Sequence, residues 1–164
     1  MQEFFDRPDL DQSGSLETNE KSGELFNEWF LYNFVLANGK TALANFIAEN
    51  PLGLSTAEMT LYQNLLETNE YGLYEVISID INKGLLLKNS QTGKELYVYE
   101  RKLTSQVKPG SIFFGRVGQV NDHYELIGAD TFLLDGLDET AKKSLRKMKF
   151  KLTPKVAHEI WKNQ

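Results

Sequence analysis

Leu73-Tyr74-Glu75-Val76-Ile77-Ser78-Ile79-Asp80-Ile81 is the stretch that decides how this chain folds. Leu73, Glu75, Ile77, Ile79 and Ile81 alternate with Tyr74, Val76, Ser78 and Asp80, a period of two that places alternate side chains on opposite faces of a strand. Asn82-Lys83-Gly84 then supplies a tight hairpin loop, and 85–88 reads as the return strand. Beyond it the turn 89–93 leads to a strand at 95–100, Pro109-Gly110 introduces a fourth at 111–117, and Asn121-Asp122 turns into a fifth at 123–128. Five short strands on short turns are expected to curl into a small antiparallel barrel, SH3-like or OB-like, because closure removes exposed edges.

Working back from Leu73, the period becomes helical. Ser55-Thr56-Ala57-Glu58 is a capping box, with Met59, Tyr62, Leu65 and Leu66 at helical spacing behind it. A shorter helix is expected at 41–49, stopped ahead of Pro51, since a residue before proline is pushed out of helical geometry. The stretch 24–37 is apolar nearly all round, as a helix covered on several sides would be, and Asn38-Gly39 ends it. On the far side of the barrel, 138–149 carries acids first and bases after, matching the helix dipole, and Thr153-Pro154 opens a last helix through Trp161. The expected class is α+β: about three N-terminal helices packed on a five-stranded barrel, with C-terminal helices. The expected divisions are an acidic flexible arm at 1–23, a helical segment at 24–70, the barrel at 71–136 and basic helices at 137–164, with 24–164 one compact unit.

The chain has 164 residues, with 41% hydrophobic and 25% charged, ordinary values for a folded domain. No apolar run approaches the 18 or more residues of a spanning helix, so no membrane partner is expected. The start, Met1-Gln2-Glu3, lacks the basic residues of a secretory leader, and there is no cysteine. These features point to a cytoplasmic protein without disulfides or cysteine-held metal. The net charge of −5 is unevenly spread: 12 acids against 3 bases in 1–70, 8 against 7 in 71–137, and 3 against 8 in 138–164.

Several motifs taken together are familiar. Leu25-Phe26-Asn27-Glu28-Trp29-Phe30-Leu31-Tyr32, Asn38-Gly39-Lys40-Thr41, Gly72-Leu73-Tyr74-Glu75-Val76 and Val107-Lys108-Pro109-Gly110 resemble an uncharacterised bacterial module found in proteins that carry a SEC-C motif. The resemblance spans about 24–130. It implies a fold and no catalytic residues. The SEC-C zinc hook is built from cysteines, which this chain lacks, so the resemblance carries over neither zinc nor the ribosome and chaperone contacts associated with that hook.

Four candidate sites stand out. The string from Asp9 to Glu20 fits a calcium loop, with Asp9, Asp11, Ser13 and Glu20 as ligands and Gly14 at the turn. Pro8 and Lys21-Ser22-Gly23 are poor flanks for the two helices such a loop needs, so the preferred reading is a solvated acidic arm and no metal is assigned. The basic run Lys142, Lys143, Arg146, Lys147, Lys149, Lys151 and Lys155 suits phosphates, and suits equally a solvated helix face, the chain's own acidic arm or an anionic protein. Tyr97 and Tyr99 share one strand face and could stack single-stranded bases, although packing against Trp29 or Phe30 is the plainer expectation. His123 beside Asp122 reads as a turn pair, and no nucleophile elbow, HExxH or phosphate loop accompanies it. The resulting expectation is a non-enzymatic binding module without cofactor, its partner a protein. The alternative is an RNA-binding or ribosome-associated module using Tyr97, Tyr99, Lys142, Lys143, Arg146 and Lys147.

Overall fold

A computed structural model describes residue 4 and residues 20–128, 131–134, 136, 138–147 and 152–162. The calcium-loop pattern therefore lies outside the described residues except at Glu20, as do Lys149 and Lys151 of the basic run.

Helix α1 runs Glu20–Tyr32, α2 Ala42–Glu49 and α3 Thr56–Thr68. The capping box is made as expected: the Ser55 backbone N–H donates to Glu58 Oε2 at 2.8 Å, and Ser55 Oγ accepts from the Glu58 N–H at 3.4 Å. Helix α1 begins earlier and ends earlier than its apolar pattern suggests. After Tyr32 the Asn33 and Phe34 N–H groups both turn back to the Trp29 carbonyl, and the chain then forms a Val35–Thr41 bridge around Gly39, whose φ is 80°.

Strands follow at β1 Glu70–Asp80, β2 Gly84–Asn89, β3 Glu95–Tyr99, β4 Ile112–Val120, β5 His123–Leu126 and the short β6 Phe132–Leu133. A 3-10 turn at Leu103–Ser105 separates β3 from β4. Strand β1 is long enough to pair with β4 through its first half and with β2 through its second, and β5 closes the ring between β3 and β4. The result is a closed five-stranded barrel that is mixed, correcting the antiparallel expectation. The β3–β5 pair is parallel. Parity requires this: if every other neighbouring pair in a closed ring of five is antiparallel, the last pair must run the same way.

Two apolar clusters use the two sides of the same strands. Tyr74, Val76, Leu85, Leu87, Leu96, Val98, Leu103, Phe113 and Val117 fill the barrel. Tyr71, Leu73, Ile112 and Phe114 point the other way, into a second cluster with Phe4, Leu25, Trp29, Leu145, Leu152 and Ala157. Burial on both sides explains the near-continuous apolar run of β4. Strict alternation in β1 fails at a bulge between Val76 and Ser78. There Ile77 and Ser78 are both exposed, and the inward set resumes at Ile79, one residue out of phase with the simple pattern.

The outer cluster also takes in both ends of the chain. Phe4 is fully buried, its ring 5.3 Å from that of Trp29 and 5.3 Å from the His158 imidazole. The arm expected at 1–23 is thus anchored at an aromatic residue, for which burial outweighs the ordering cost. Helices α4, Glu139–Arg146, and α5, Pro154–Lys162, contribute Leu145, Ala157 and His158 to buried positions. Among the described residues no helix is long and apolar enough to cross a membrane.

Candidate functional site

Helices cover the outer side of β1 and β4, which leaves the flank formed by β2, β3 and β5 to solvent. The register across that flank is continuous: Asp80 pairs with Gly84, Gly84 with Tyr99, and Tyr99 with Glu125. Tyr97 and Tyr99, two residues apart on β3, both point outward, 38% and 52% exposed. They do not pack on Trp29, which belongs to the outer cluster, nor on Phe30, which stacks with Phe26 and Phe34. The expectation of simple packing is therefore corrected, because helix α1 covers the opposite flank of the barrel.

The aromatic pair is held in place. The Tyr97 and Tyr99 rings meet edge to face at 5.3 Å, and Tyr99 meets the His123 ring at 4.7 Å. Gly84 makes room for this: a Cβ there would lie 2.9 Å from the Tyr97 ring and 2.4 Å from the Val98 carbonyl oxygen. His123 sits between two carboxylates, Nδ1 at 3.0 Å from Asp122 Oδ1 and Nε2 at 2.7 Å from Glu125 Oε1. The hydrogen bond to Asp122, then the one to Glu125, raises the imidazole above its ordinary pKa, and the same contact lowers Asp122. Partial desolvation, helped by Asp80, raises the Tyr97 phenol, which stays neutral.

Beside Tyr99 is a cleft of about 370 Å³ lined by Lys83, Glu100, Arg101, His123 and Glu125. Its rim is built from two loops tied together. The Asn82 N–H donates to Thr104 Oγ1 at 3.2 Å, the Thr104 hydroxyl donates to the Arg101 carbonyl at 2.6 Å, and the Glu100 N–H donates to the Lys83 carbonyl at 3.2 Å. Glu100 Oε1 also accepts from the Lys102 and Leu103 N–H groups at 2.7 and 3.2 Å. These bonds fix the backbone from which Lys83 and Arg101 project at the edge of the cleft. Lys83 reaches Asp80 at 3.3 Å, and Asp80 lies 3.5 Å from the Tyr97 hydroxyl.

Half of the basic helix's described cations are paired within the chain. Arg146 Nη2 lies 3.3 Å from Glu75 and Lys142 Nζ 3.1 Å from Glu139, while Lys143 and Lys147 are exposed. Glu75 pairs with Lys88, and Lys88 with Glu95, so Arg146 stands at the end of the rung next before Tyr97 on its face of β3. The four cations named from the sequence therefore divide into two paired and two exposed, none of them lining the cleft.

A second polar cluster lies on the helix-covered side. Arg116 is 2% exposed and donates through Nε to Glu28 Oε1 at 2.7 Å, through Nη1 to Asn69 Oδ1 at 2.6 Å and through Nη2 to Asn33 Oδ1 at 2.7 Å. The Tyr32 ring lies 4.4 Å from the guanidinium carbon and the Tyr71 ring 5.4 Å. Burial raises the Tyr32 phenol against the opposing effect of Arg116. A guanidinium with its planar fork taken up by three side chains acts as a clamp. Among the described residues no group of three or more His, Cys, Asp or Glu could hold a metal ion. No family model, curated protein or solved structure matches this chain.

Proposed function

We propose that this chain is a non-enzymatic, cytoplasmic module that binds single-stranded RNA on the open flank of its barrel. One observation carries the reading: Tyr97 and Tyr99 are exposed side by side, and the cleft beside them is rimmed by Lys83 and Arg101. Bases stack on such rings, while the cations meet the backbone. The strand circuit β1-β2-β3-β5-β4 is read here as OB-like rather than SH3-like, and in OB barrels the β2–β3 face and adjoining loops take oligonucleotides.

The local charge is net negative, since Asp80, Glu100, Asp122 and Glu125 outnumber Lys83 and Arg101 even with His123 protonated. Affinity should rest on stacking more than on phosphate neutralisation, with a salt slope of about −0.7 for each phosphate met. The test is fluorescence anisotropy with labelled single-stranded RNA and duplex DNA at low and moderate salt. RNA should bind in preference to duplex, and Tyr97→Ala or Tyr99→Ala should each weaken binding by about 5- to 100-fold, the loss of one stacked base. Undiminished binding by both variants would overturn the reading.

A protein partner has its own support in exposed apolar side chains on the helical side, Val35 at 58% and Leu52 at 72%. A chain that ignores RNA but captures a partner lost on Val35→Asp would favour that reading.

A further inference from the structure

The chemistry around Tyr99 distinguishes among bases. Its immediate neighbours across the flank are Glu125 on one side and, beyond the bare Gly84, Asp80 on the other. Both are carboxylates, which accept hydrogen bonds and donate none when ionised. Lys83 and Arg101, the donors of the cleft, come from the loops at its rim rather than from the strands beneath the rings. A ring stacked on Tyr99 thus has acceptors at its edge and donors at its periphery, where a phosphate would pass.

Glu125 is also held in position. Its Oε1 is 2.7 Å from His123 Nε2, and the other nitrogen of that imidazole is fixed by Asp122. Among the described residues no hydrogen bond is made by Glu125 Oε2. That oxygen is open to a ligand while its carboxylate is oriented by the partner of the first.

We infer that the site selects bases bearing an exocyclic amino group, cytosine over uracil, with Glu125 as the specificity-determining acceptor. The inference rests on the single-strand reading above. Cytosine presents an N4 amino donor where uracil presents the O4 oxygen, and the two rings are otherwise matched in size and stacking area. A carboxylate facing the C4 substituent accepts from the amino group of the first and repels the oxygen of the second. Repulsion of the wrong base adds to attraction of the right one in such discrimination. Asp80, whose Oδ2 meets Lys83 and the Tyr97 hydroxyl, lies one strand further from Tyr99, beyond Gly84, and is the more distant acceptor of the two.

The experiment compares labelled oligocytidine and oligouridine of about eight nucleotides, within the span one OB barrel covers, on the full chain near neutral pH. Cytidine should bind about tenfold more tightly. Glu125→Gln, which keeps the shape and removes the charge, should weaken cytidine binding and strengthen uridine binding, so that the preference falls towards unity. A variant that merely disturbed the fold would weaken both, and that outcome overturns the role assigned to Glu125. Equal affinity of the wild-type chain for the two oligomers overturns the inference and leaves the single-strand reading standing. Binding to neither overturns the single-strand reading and the inference with it.

Discussion

His123 shows how much one side chain's surroundings decide. With Asp122 and Glu125 on its two nitrogens, the imidazolium is favoured in the folded chain, so its pKa lies above the ordinary 6.5. A group raised in this way contributes stability that is complete below its unfolded pKa and disappears as pH rises through the folded value. Asp122 is lowered by the same contact, and its contribution is complete above the ordinary 3.8 and disappears as pH falls through the folded value. The pair is therefore fully effective in mildly acidic solution, between those two ordinary values, and weakens as pH rises through the folded value of His123 or falls through that of Asp122. An NMR titration of the imidazole protons should find His123 above 6.5, and Asp122→Asn should move it down; a His123 titrating below 6.5 in the wild-type chain would contradict the arrangement. In the sequence, Asp122-His123 reads only as a turn pair. Glu125, two residues on along β5, shares the strand face of His123 and is legible from the period of two, whereas Tyr99 is brought to it by the parallel pairing of β3 with β5, which leaves no local pattern.

At the scale of elements, the features that sequence periodicity registers are those with enough residues to repeat. The capping box and helix α3, and the five main strands, are legible to within a few residues. The two-residue β6 and the 3-10 turn are not, because neither is long enough to have a period. The bulge in β1 is invisible for a related reason: four of the five odd positions from Leu73 to Ile81 are apolar, which hides the change of face between Val76 and Ser78. Gly84 belongs to this scale too. It reads as the last residue of a hairpin loop, yet it is the first residue of β2 and lies beneath the Tyr97 ring. Its replacement by alanine would set a methyl 2.4 Å from a backbone oxygen that has no freedom to move aside. Gly84→Ala should lower stability by about 1–3 kcal/mol, read as a reduced urea midpoint, and should displace Tyr97 from the flank with a loss of RNA affinity. An unchanged midpoint would mean that β2 and β3 are not packed as described.

At the scale of the whole molecule, the helices and the barrel are joined by an apolar cluster and by one buried polar clamp. Arg116 on β4 and Glu28 on α1 are 88 residues apart in the chain, and neither stands out in the sequence, where each is one charge among many. Burial makes the difference, since the pair's side chains are 2% and 1% exposed. Gly128 completes the fit: a Cβ at that position would lie 2.9 Å from Glu28 Oε2. Removing Arg116 takes the facing guanidinium from a carboxylate in a medium that solvates it poorly, and breaking such a buried pair costs about 3–5 kcal/mol. Arg116→Met should therefore lower the urea midpoint sharply, the more so because Asn33 and Asn69 lose their donors as well. Adding Glu28→Gln to that variant removes the buried charge that Arg116 faced, so the double variant should be less destabilised than the sum of the two single ones. If Arg116 acted only through its aliphatic stem, methionine would replace it at little cost and the two substitutions would simply add. The double-mutant cycle thus separates a clamp that holds α1 to the barrel from a side chain that only fills space between them.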